Sequence, residues 1–166
     1  MSADASGVRL EVATAEAAQD LGRALAGLLR AGDLVVLTGD LGAGKTTLTQ
    51  GLGEGLGVRG PITSPTFVIA RVHPGLSGGP ALVHVDAYRL GGVEELDDLD
   101  LDASLEESVT VVEWGEGLAE TLAADRLELV LRRSASQDEH DQVRTVLLRG
   151  VGPRWAGVPL DRLGSS

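Results

Sequence analysis

Apolar and polar residues alternate along the chain in a pattern that predicts a succession of strands and helices. Short runs rich in valine, leucine and isoleucine, several of them alternating with polar residues, predict strands. These runs occupy residues 9–12, 33–38, 66–72, 81–86, 108–113, 126–132 and 142–148. Strands interspersed with helical segments are typical of an α/β domain with a mainly parallel sheet.

The first predicted helix lies between the first two of these strands. It begins after Thr14, whose hydroxyl suits an N-cap, and it is expected to end near residues 31–32, where a glycine follows an alanine. Its apolar stripe, at spacings of three and four residues, consists of Leu21, Leu25, Leu28 and Leu29.

The second predicted helix starts within residues 46–52 and is rich in glycine. Its four glycines are Gly51, Gly53, Gly55 and Gly57. Each glycine inside a helix costs up to about 1 kcal/mol relative to alanine. Such a helix needs tertiary packing to persist, and Gly57 is expected to end it.

The last two predicted strands, 126–132 and 142–148, are joined by a polar connection and are expected to form an antiparallel pair at the sheet edge. From Gly150 onward the chain contains two prolines and is expected to be a loose tail. We therefore predict one domain over residues 1–150 and a C-terminal tail over 151–166. Its expected fold is a three-layer α/β domain with a mainly parallel central sheet and antiparallel edge strands.

Residues 39–47, Gly-Asp-Leu-Gly-Ala-Gly-Lys-Thr-Thr, fit the phosphate-binding pattern G-x-x-x-x-G-K-[ST] at every fixed position. The pattern requires a strand before it and a helix after it, and both are predicted here. Gly39, Gly42 and Gly44 allow successive backbone N–H groups to converge on one point, which also faces the positive end of the helix. This segment is therefore predicted to bind a polyphosphate.

Lys45 is the only lysine in a chain that contains thirteen arginines. A compact ammonium group can bridge the β- and γ-phosphates of a nucleotide, at a place where a planar guanidinium fits badly. The neighbouring hydroxyl of Thr46 can ligate Mg²⁺. Both residue types indicate a nucleotide site that also holds a magnesium ion.

Two predicted strands end in an acidic residue, Asp86 in one and Glu113 in the other. An apolar strand that brings a carboxylate to its carboxyl end is typical of the Walker B element, which lies beside the metal. Asp86 could instead cap the next turn. We favour the site role, because a phosphate loop requires such a group, and Glu113 is a second candidate metal group.

Thr66 and Trp114 occupy the mouths of two predicted strands. Thr66 follows a serine and a proline in a stiff turn, where it either senses the γ-phosphate or Mg²⁺ or simply begins the strand. Trp114 lies at the exit of strand 108–113, a position that suits packing in the core or a packing and gating role beside a nucleotide.

The composition restricts the classes of function. The chain of 166 residues has a formal net charge of −11, from 14 basic and 25 acidic residues. A protein that binds nucleic acid strongly by itself normally presents a basic face, so any role on RNA is expected to run through a protein partner. The chain has no cysteine, no signal peptide and no apolar run approaching the roughly 18–20 residues of a membrane span. We therefore expect a cytoplasmic protein without membrane contact.

Four motifs, in this order, resemble the TsaE family, also called YjeE. They are the phosphate-binding segment at 39–47, Ser-Pro-Thr-Phe at 64–67, His-Val-Asp-Ala-Tyr-Arg-Leu at 84–90 and Val-Glu-Trp at 112–114. The resemblance implies a small bacterial ATPase needed for the threonylcarbamoyladenosine modification of tRNAs that decode codons starting with A. It also implies that the protein works with the TsaB–TsaD heterodimer, which transfers the threonylcarbamoyl group.

The resemblance also implies roles for individual residues. It implies that the phosphates of ATP or ADP are bound by residues Gly42, Ala43, Gly44, Lys45, Thr46 and Thr47. It implies that Mg²⁺ is held by Thr46 and Glu113, and that Asp86 works at the γ-phosphate or orders the attacking water. Thr66 resembles the family's switch threonine, and Trp114 resembles its tryptophan.

Hydrolysis is expected to be slow in the isolated chain and to be gated by the partner. The chain has no obvious arginine finger, although Arg71, Arg89, Arg132 and Arg133 are candidates in cis and a partner could supply one in trans. A missing finger costs about 10³–10⁵ in rate.

Three other classes of nucleotide-binding protein are alternatives to this one. A small-molecule kinase would need an acceptor pocket and usually an arginine-rich lid, and neither is evident in the sequence. A GTPase is disfavoured because the chain has no asparagine and no second lysine for an Asn-Lys-x-Asp element. A nucleotide-binding adaptor that does not hydrolyse ATP is distinguished from an ATPase by its indifference to the loss of Asp86.

Overall fold

Two helices, seven strands and a short 3₁₀ helix make up the described part of the chain. This computed structural model describes residues 6–39, 45–58, 70–75, 79–86, 107–113, 125–133, 143–155 and 158. The strands are β1 (Ser6–Val12), β2 (Leu34–Gly39), β3 (Ala70–His73), β4 (Ala81–Asp86), β5 (Ser108–Glu113), β6 (Arg126–Arg133) and β7 (Arg144–Val151). The helices are α1 (Ala15–Ala26) and α2 (Lys45–Leu56), and the 3₁₀ helix is Pro153–Trp155.

The described strands form one sheet in the order β1-β7-β6-β2-β5-β4-β3. Its four central strands, β6, β2, β5 and β4, are parallel, and Val36 of β2 pairs with Glu128 on one side and Val112 on the other. Antiparallel strands complete both edges. The described elements thus form a mixed α/β fold. The predicted antiparallel pairing of β6 and β7 is confirmed, but the outermost strand on that side is β1.

The two strands at the middle of the sheet, β2 and β5, are buried along most of their length. Four consecutive residues of β2, 34–37, are buried, as are all six residues of β5. Continuous apolar runs of this kind are expected where a parallel sheet is covered on both faces. On one face, Val35 and Leu37 share a core cluster with leucines of both helices, among them Leu25 and Leu48.

Helix α1 begins as predicted and ends earlier than predicted. Thr14 is its N-cap, and the Thr14 hydroxyl accepts a hydrogen bond of 3.0 Å from the Ala17 backbone N–H. The helix ends at Ala26, because Gly27 caps it and the Leu28 backbone N–H bonds to the Leu25 carbonyl in a tighter turn. Leu29 stays buried beyond this point, so the leucine periodicity continues past the end of the helix.

Helix α2 ends at Leu56 and is followed by Gly57 in the left-handed region, with φ of 72°, as the sequence predicted. Gly51 and Gly55 of α2 are explained by close packing against α1. A methyl group placed on Gly51 would lie 2.0 Å from the backbone oxygen of Gln19, and one on Gly22 of α1 would lie 2.2 Å from that of Leu48. Neither helix, nor any other in the described residues, has both the length and the apolar character needed to cross a membrane.

A surface ion pair also links the two helices. The guanidinium of Arg23 on α1 donates to the carboxylates of Asp20, one turn earlier, and Glu54 on α2. These two carboxylates raise the pKa of Arg23. Since all three side chains are solvent-exposed, the packing of the glycines, and not this pair, holds the helices together.

The segment after β7 packs on the domain. Arg154 in the 3₁₀ helix donates through Nε and Nη2 to both carboxylate oxygens of Asp33, at 3.0 and 2.9 Å, and through Nη2 to the Leu28 carbonyl. The adjacent Trp155 is buried, and the guanidinium lies 4.4 Å from the centre of its ring. The expected loose tail from Gly150 onward is therefore wrong for residues 150–155, since a bidentate ion pair and an indole hold them in place.

Replacing Arg154 with methionine is expected to lower the free energy of unfolding by about 2–3 kcal/mol, because the buried Asp33 carboxylate loses a charged, bidentate partner. Asp33 keeps one hydrogen bond, from the Arg30 backbone N–H, which limits the loss. Urea unfolding followed by circular dichroism measures the change. Arg149→Met is the control, since Arg149 is exposed and lies 4.0 Å from Glu128, and an equal loss in both variants would contradict the assignment.

Candidate functional site

Three neighbouring strands of the parallel sheet end at the same edge. β2 ends at Gly39, β4 at Asp86 and β5 at Glu113. Glu113 is the register partner of Asp86 on one side and of Leu37, two residues before Gly39, on the other. Adjacent strands lie about 4.8 Å apart. The end of β2, where the glycine-rich segment begins, therefore lies close to the acidic ends of β5 and β4. Open α/β sheets bind ligands at this edge.

Lys45 is the first residue of helix α2, and its side chain contacts the end of β2. Its side chain is buried, with 7% exposed, and Nζ donates a hydrogen bond of 2.5 Å to the backbone carbonyl of Gly39. This contact joins the residues that flank segment 40–44 on either side. An ammonium group buried in this way interacts more strongly with an anion than an exposed one, because the local dielectric is low.

The first turn of α2 adds hydroxyl groups beside Lys45. Thr46 and Thr47 are partly exposed, so their side chains are accessible at the N-terminal end of the helix. The hydroxyl of Thr49, by contrast, is buried and donates to the Lys45 carbonyl at 2.8 Å, which reinforces the first turn. The first N–H groups of a helix lack partners within the helix, so this end favours an anion.

Glu113 is buried at the end of β5 and contacts a histidine of the neighbouring strand. Its side chain is 4% exposed, and Oε2 lies 3.0 Å from Nε2 of His84, which is fully buried in β4. His84 precedes Asp86 by two residues on the same strand. The described edge therefore combines a buried cation, accessible hydroxyls and a buried carboxylate, a set of groups that suits a polyphosphate with a divalent cation.

Comparison with known proteins identifies a matching family. A sequence model of the family described as "Threonylcarbamoyl adenosine biosynthesis protein TsaE" matches residues 12–143. The chain belongs to the TsaE family. The family motifs on which the resemblance rested all lie within the matched range.

Relatives in this family come from several bacterial groups. The TsaE protein of Streptomyces coelicolor is 68% identical over 139 residues, which cover 83% of this chain and 93% of that protein. The TsaE protein of Bacillus subtilis is 36% identical over 141 residues, or 84% of each chain. Both carry the name "tRNA threonylcarbamoyladenosine biosynthesis protein TsaE".

A solved structure has the same fold. The crystal structure of YdiB from Bacillus subtilis superimposes with a TM-score of 0.69 at 32% sequence identity, covering 90% of this chain and 89% of YdiB. The mixed α/β architecture seen here is therefore that of a solved relative.

The structure describes some of the predicted site residues and not others. Lys45, Thr46, Thr47 and Glu113 lie at the described edge, and Asp86 is placed there by its strand position. The other predicted TsaE site residues lie outside the described residues; they are Gly42, Ala43, Gly44, Thr66 and Trp114.

Sequence reasoning gave no role to His84, although it lies in one of the family motifs. Its signal was available, because it is a polar residue in an otherwise apolar strand, two positions before a candidate site acid. What the sequence could not supply was its contact with Glu113, 29 residues away along the chain.

Proposed function

We propose that this chain is a Mg²⁺-dependent ATPase with the three-layer P-loop fold, and that it acts in threonylcarbamoyladenosine modification of tRNA with the TsaB–TsaD heterodimer. The observation that carries the ATPase proposal is the buried hydrogen bond from Lys45 to Gly39, beside the end of the strand that bears Glu113. Membership of the TsaE family supports the role in tRNA modification.

The residues at this edge fit a nucleotide with Mg²⁺. Lys45 supplies a buried positive charge for the β- and γ-phosphates, and the hydroxyl of Thr46 and carboxylate of Glu113 are the hard oxygen ligands that Mg²⁺ prefers. Residues expected to bind the phosphates alongside Lys45 are Gly42, Ala43, Gly44, Thr46 and Thr47. A bound Mg²⁺ would neutralise charge on the phosphate oxygens and so favour attack at phosphorus.

Each residue of the site has its own role in hydrolysis. Asp86 accepts a hydrogen bond from the attacking water and orients it toward the γ-phosphorus, in line with the bond to the bridging oxygen. As the new oxygen–phosphorus bond forms, the bond from the γ-phosphorus to the bridging oxygen breaks, a proton of the water passes to a phosphate oxygen, and ADP and inorganic phosphate leave. Lys45 stabilises the charge that accumulates on the phosphate oxygens. By resemblance to the family, Thr66 is expected to sense the γ-phosphate, and Trp114 is expected to have a packing or gating role.

The partner is proposed from charge as well as from family. With a net charge of −11, the chain is poorly suited to hold tRNA by itself, so its effect on tRNA runs through another protein. Slow hydrolysis in isolation would let TsaB–TsaD control when ATP is consumed. The ATPase step would then drive a conformational change or product release in that complex.

Phosphate release tests this proposal when it is measured for the chain alone and with purified TsaB–TsaD. We expect turnover to rise when the pair is added and to need Mg²⁺. If turnover is indifferent to the pair but rises with a small-molecule hydroxyl acceptor that becomes phosphorylated, the chain is a kinase and the proposal is wrong.

Replacing Asp86 with asparagine is expected to lower ATP turnover by about 10²–10³, while ATP affinity changes little, since the amide still fits but no longer orients water as a carboxylate does. Phosphate release and calorimetric titration of ATP measure the two effects. Asp20→Asn, at an exposed position on α1, is the control and should retain full turnover. An unchanged rate in Asp86→Asn would show that Asp86 does not orient the water, whereas ATP binding without turnover in either protein would indicate a nucleotide-binding adaptor.

A further inference from the structure

His84 is a polar residue in the most apolar part of the sheet. Its neighbours in β4, Leu82, Val83 and Val85, are all buried, and the imidazole itself has no exposed surface. Its polar contact is with Glu113, whose Oε2 lies 3.0 Å from Nε2. Within the described part of the chain, the second ring nitrogen, Nδ1, is buried without a hydrogen-bond partner.

A gain in stability does not explain why His84 and Glu113 are buried together. A buried ionisable pair is often no more stabilising than apolar side chains of similar volume, because both groups lose their hydration. The unpartnered Nδ1 adds a further cost that a leucine at this position would not have. A histidine at position 84 is therefore disfavoured by packing alone, and its contact with Glu113 must have another use.

The contact restricts the orientation of the Glu113 carboxylate. A carboxylate oxygen accepts hydrogen bonds, so Nε2 is the donor in this contact and Oε2 the acceptor. A donor at Oε2 fixes the rotation of the carboxylate at the end of β5. Carboxylates that ligate metals are commonly oriented in this way by a second hydrogen-bonded group.

We propose that His84 is a positioning residue, which holds the Glu113 carboxylate through Nε2–H so that it is ready to bind the divalent cation of the nucleotide complex. This inference rests on the proposed function, since Glu113 is its metal group. His84 touches neither nucleotide nor cation in this scheme and acts only through Glu113. The site then includes, besides the strand-end acids Asp86 and Glu113, the buried pair of His84 on β4 and Glu113 on β5.

Two substitutions separate positioning from packing. His84→Leu removes the donor and keeps an apolar filling, whereas His84→Gln keeps an N–H at a reach similar to that of Nε2. The readouts are Mn²⁺ affinity in the presence of ADP, followed by electron paramagnetic resonance, and urea unfolding without ligands. Mn²⁺ replaces Mg²⁺ as the observed cation. ATP turnover is measured as a third readout.

We expect His84→Leu to remain folded and to bind Mn²⁺ about 10–100-fold more weakly, which is the usual effect of losing a group that orients a metal ligand. His84→Gln should recover most of that affinity. In a Glu113→Ala background, His84→Leu should cause no further loss, since the group it orients is gone. His73→Leu is the matched control, a second buried histidine that pairs with Leu82 near the other end of β4 and should leave Mn²⁺ affinity unchanged.

The outcomes distinguish this inference from the proposed function. If His84→Leu loses stability but keeps wild-type Mn²⁺ affinity, or if it weakens Mn²⁺ equally with and without Glu113, His84 is a packing residue and the inference is wrong. If His84→Leu does not fold, the same comparison is made with His84→Gln, for which a large loss of affinity contradicts positioning by a donor. A wild-type chain that binds neither ATP nor Mn²⁺ with ADP overturns the proposed function itself.

Discussion

Lys45→Ala is expected to abolish measurable ATP turnover, with a loss of about 10²–10³ or more, because the site loses the buried charge that stabilises the developing phosphate charge. The position of the ammonium group makes the effect specific. Nζ donates a hydrogen bond to the carbonyl of Gly39, at the end of β2 beside the strand that carries Glu113. Lys45 is only 7% exposed. Phosphate release in the presence of Mg²⁺ and TsaB–TsaD measures the loss.

Lys45→Arg is the informative companion to this variant. It keeps the positive charge but replaces a compact ammonium with a planar guanidinium, which needs more space and different geometry. We expect Lys45→Arg to recover little turnover. If it recovers most of the wild-type rate, charge alone is sufficient and the buried hydrogen bond to Gly39 does not determine the geometry of the site.

The composition of the chain allows a direct measurement of binding at this residue. Since Lys45 is the only lysine, a protein prepared with isotopically labelled lysine gives a single set of lysine side-chain resonances. We expect these signals to shift on addition of ATP with Mg²⁺ and to shift much less with AMP, which lacks the β- and γ-phosphates. Equal shifts with both nucleotides would contradict contact between Lys45 and the terminal phosphates.

The sequence predicted best those elements whose burial is uniform. β4 has the predicted bounds, Ala81–Asp86, because its apolar run follows a proline and is closed by the acidic residue Asp86. The edge that carries Lys45, Asp86 and Glu113 was also predicted, since parallel strands place their carboxyl ends together. In both cases, local pattern and the topology of parallel sheets lead to the same answer.

The misses have a common physical origin. The end of α1 was placed too late because Leu28 and Leu29 keep the spacing of a helix after the backbone has left it. The segment after β7 looked loose because its proline content indicates a tail, whereas the partner of Arg154 is Asp33, 121 residues away. Periodicity indicates which side chains are buried, but it does not say what they contact.

Gly51→Ala is expected to destabilise the chain by at least about 3 kcal/mol, although helix propensity alone predicts a gain of roughly 1 kcal/mol. The two effects have opposite signs, so the measurement decides between them. The added methyl group would lie 2.0 Å from the Gln19 oxygen and 2.7 Å from two further backbone atoms of Gln19. Backbone atoms cannot rotate away as a flexible side chain can, so α1 and α2 must separate.

Gly27→Ala is the matched control for that variant. Gly27 is exposed at the end of α1 with φ of −67°, a conformation that alanine adopts easily, and its nearest contact would be 3.3 Å away. We expect its free energy of unfolding to stay within about 0.5 kcal/mol of the wild-type value, in either direction. Urea unfolding of both variants, at equal concentration and without nucleotide, makes the comparison.

The consequence of Gly51→Ala extends to the site, because α2 carries Lys45 at its first position and Gly51 less than two turns later. If the helices separate, Lys45 and Thr46 move relative to the ends of β2 and β5, and ATP affinity falls even in molecules that remain folded. The labelled lysine resonances of the ligand-free variant should then differ from those of the wild type. A variant that is destabilised but keeps wild-type lysine resonances and ATP affinity would show that α2 yields at its C-terminal end instead. In that case the glycines serve stability alone, and the geometry of Lys45 is set by its hydrogen bond to Gly39.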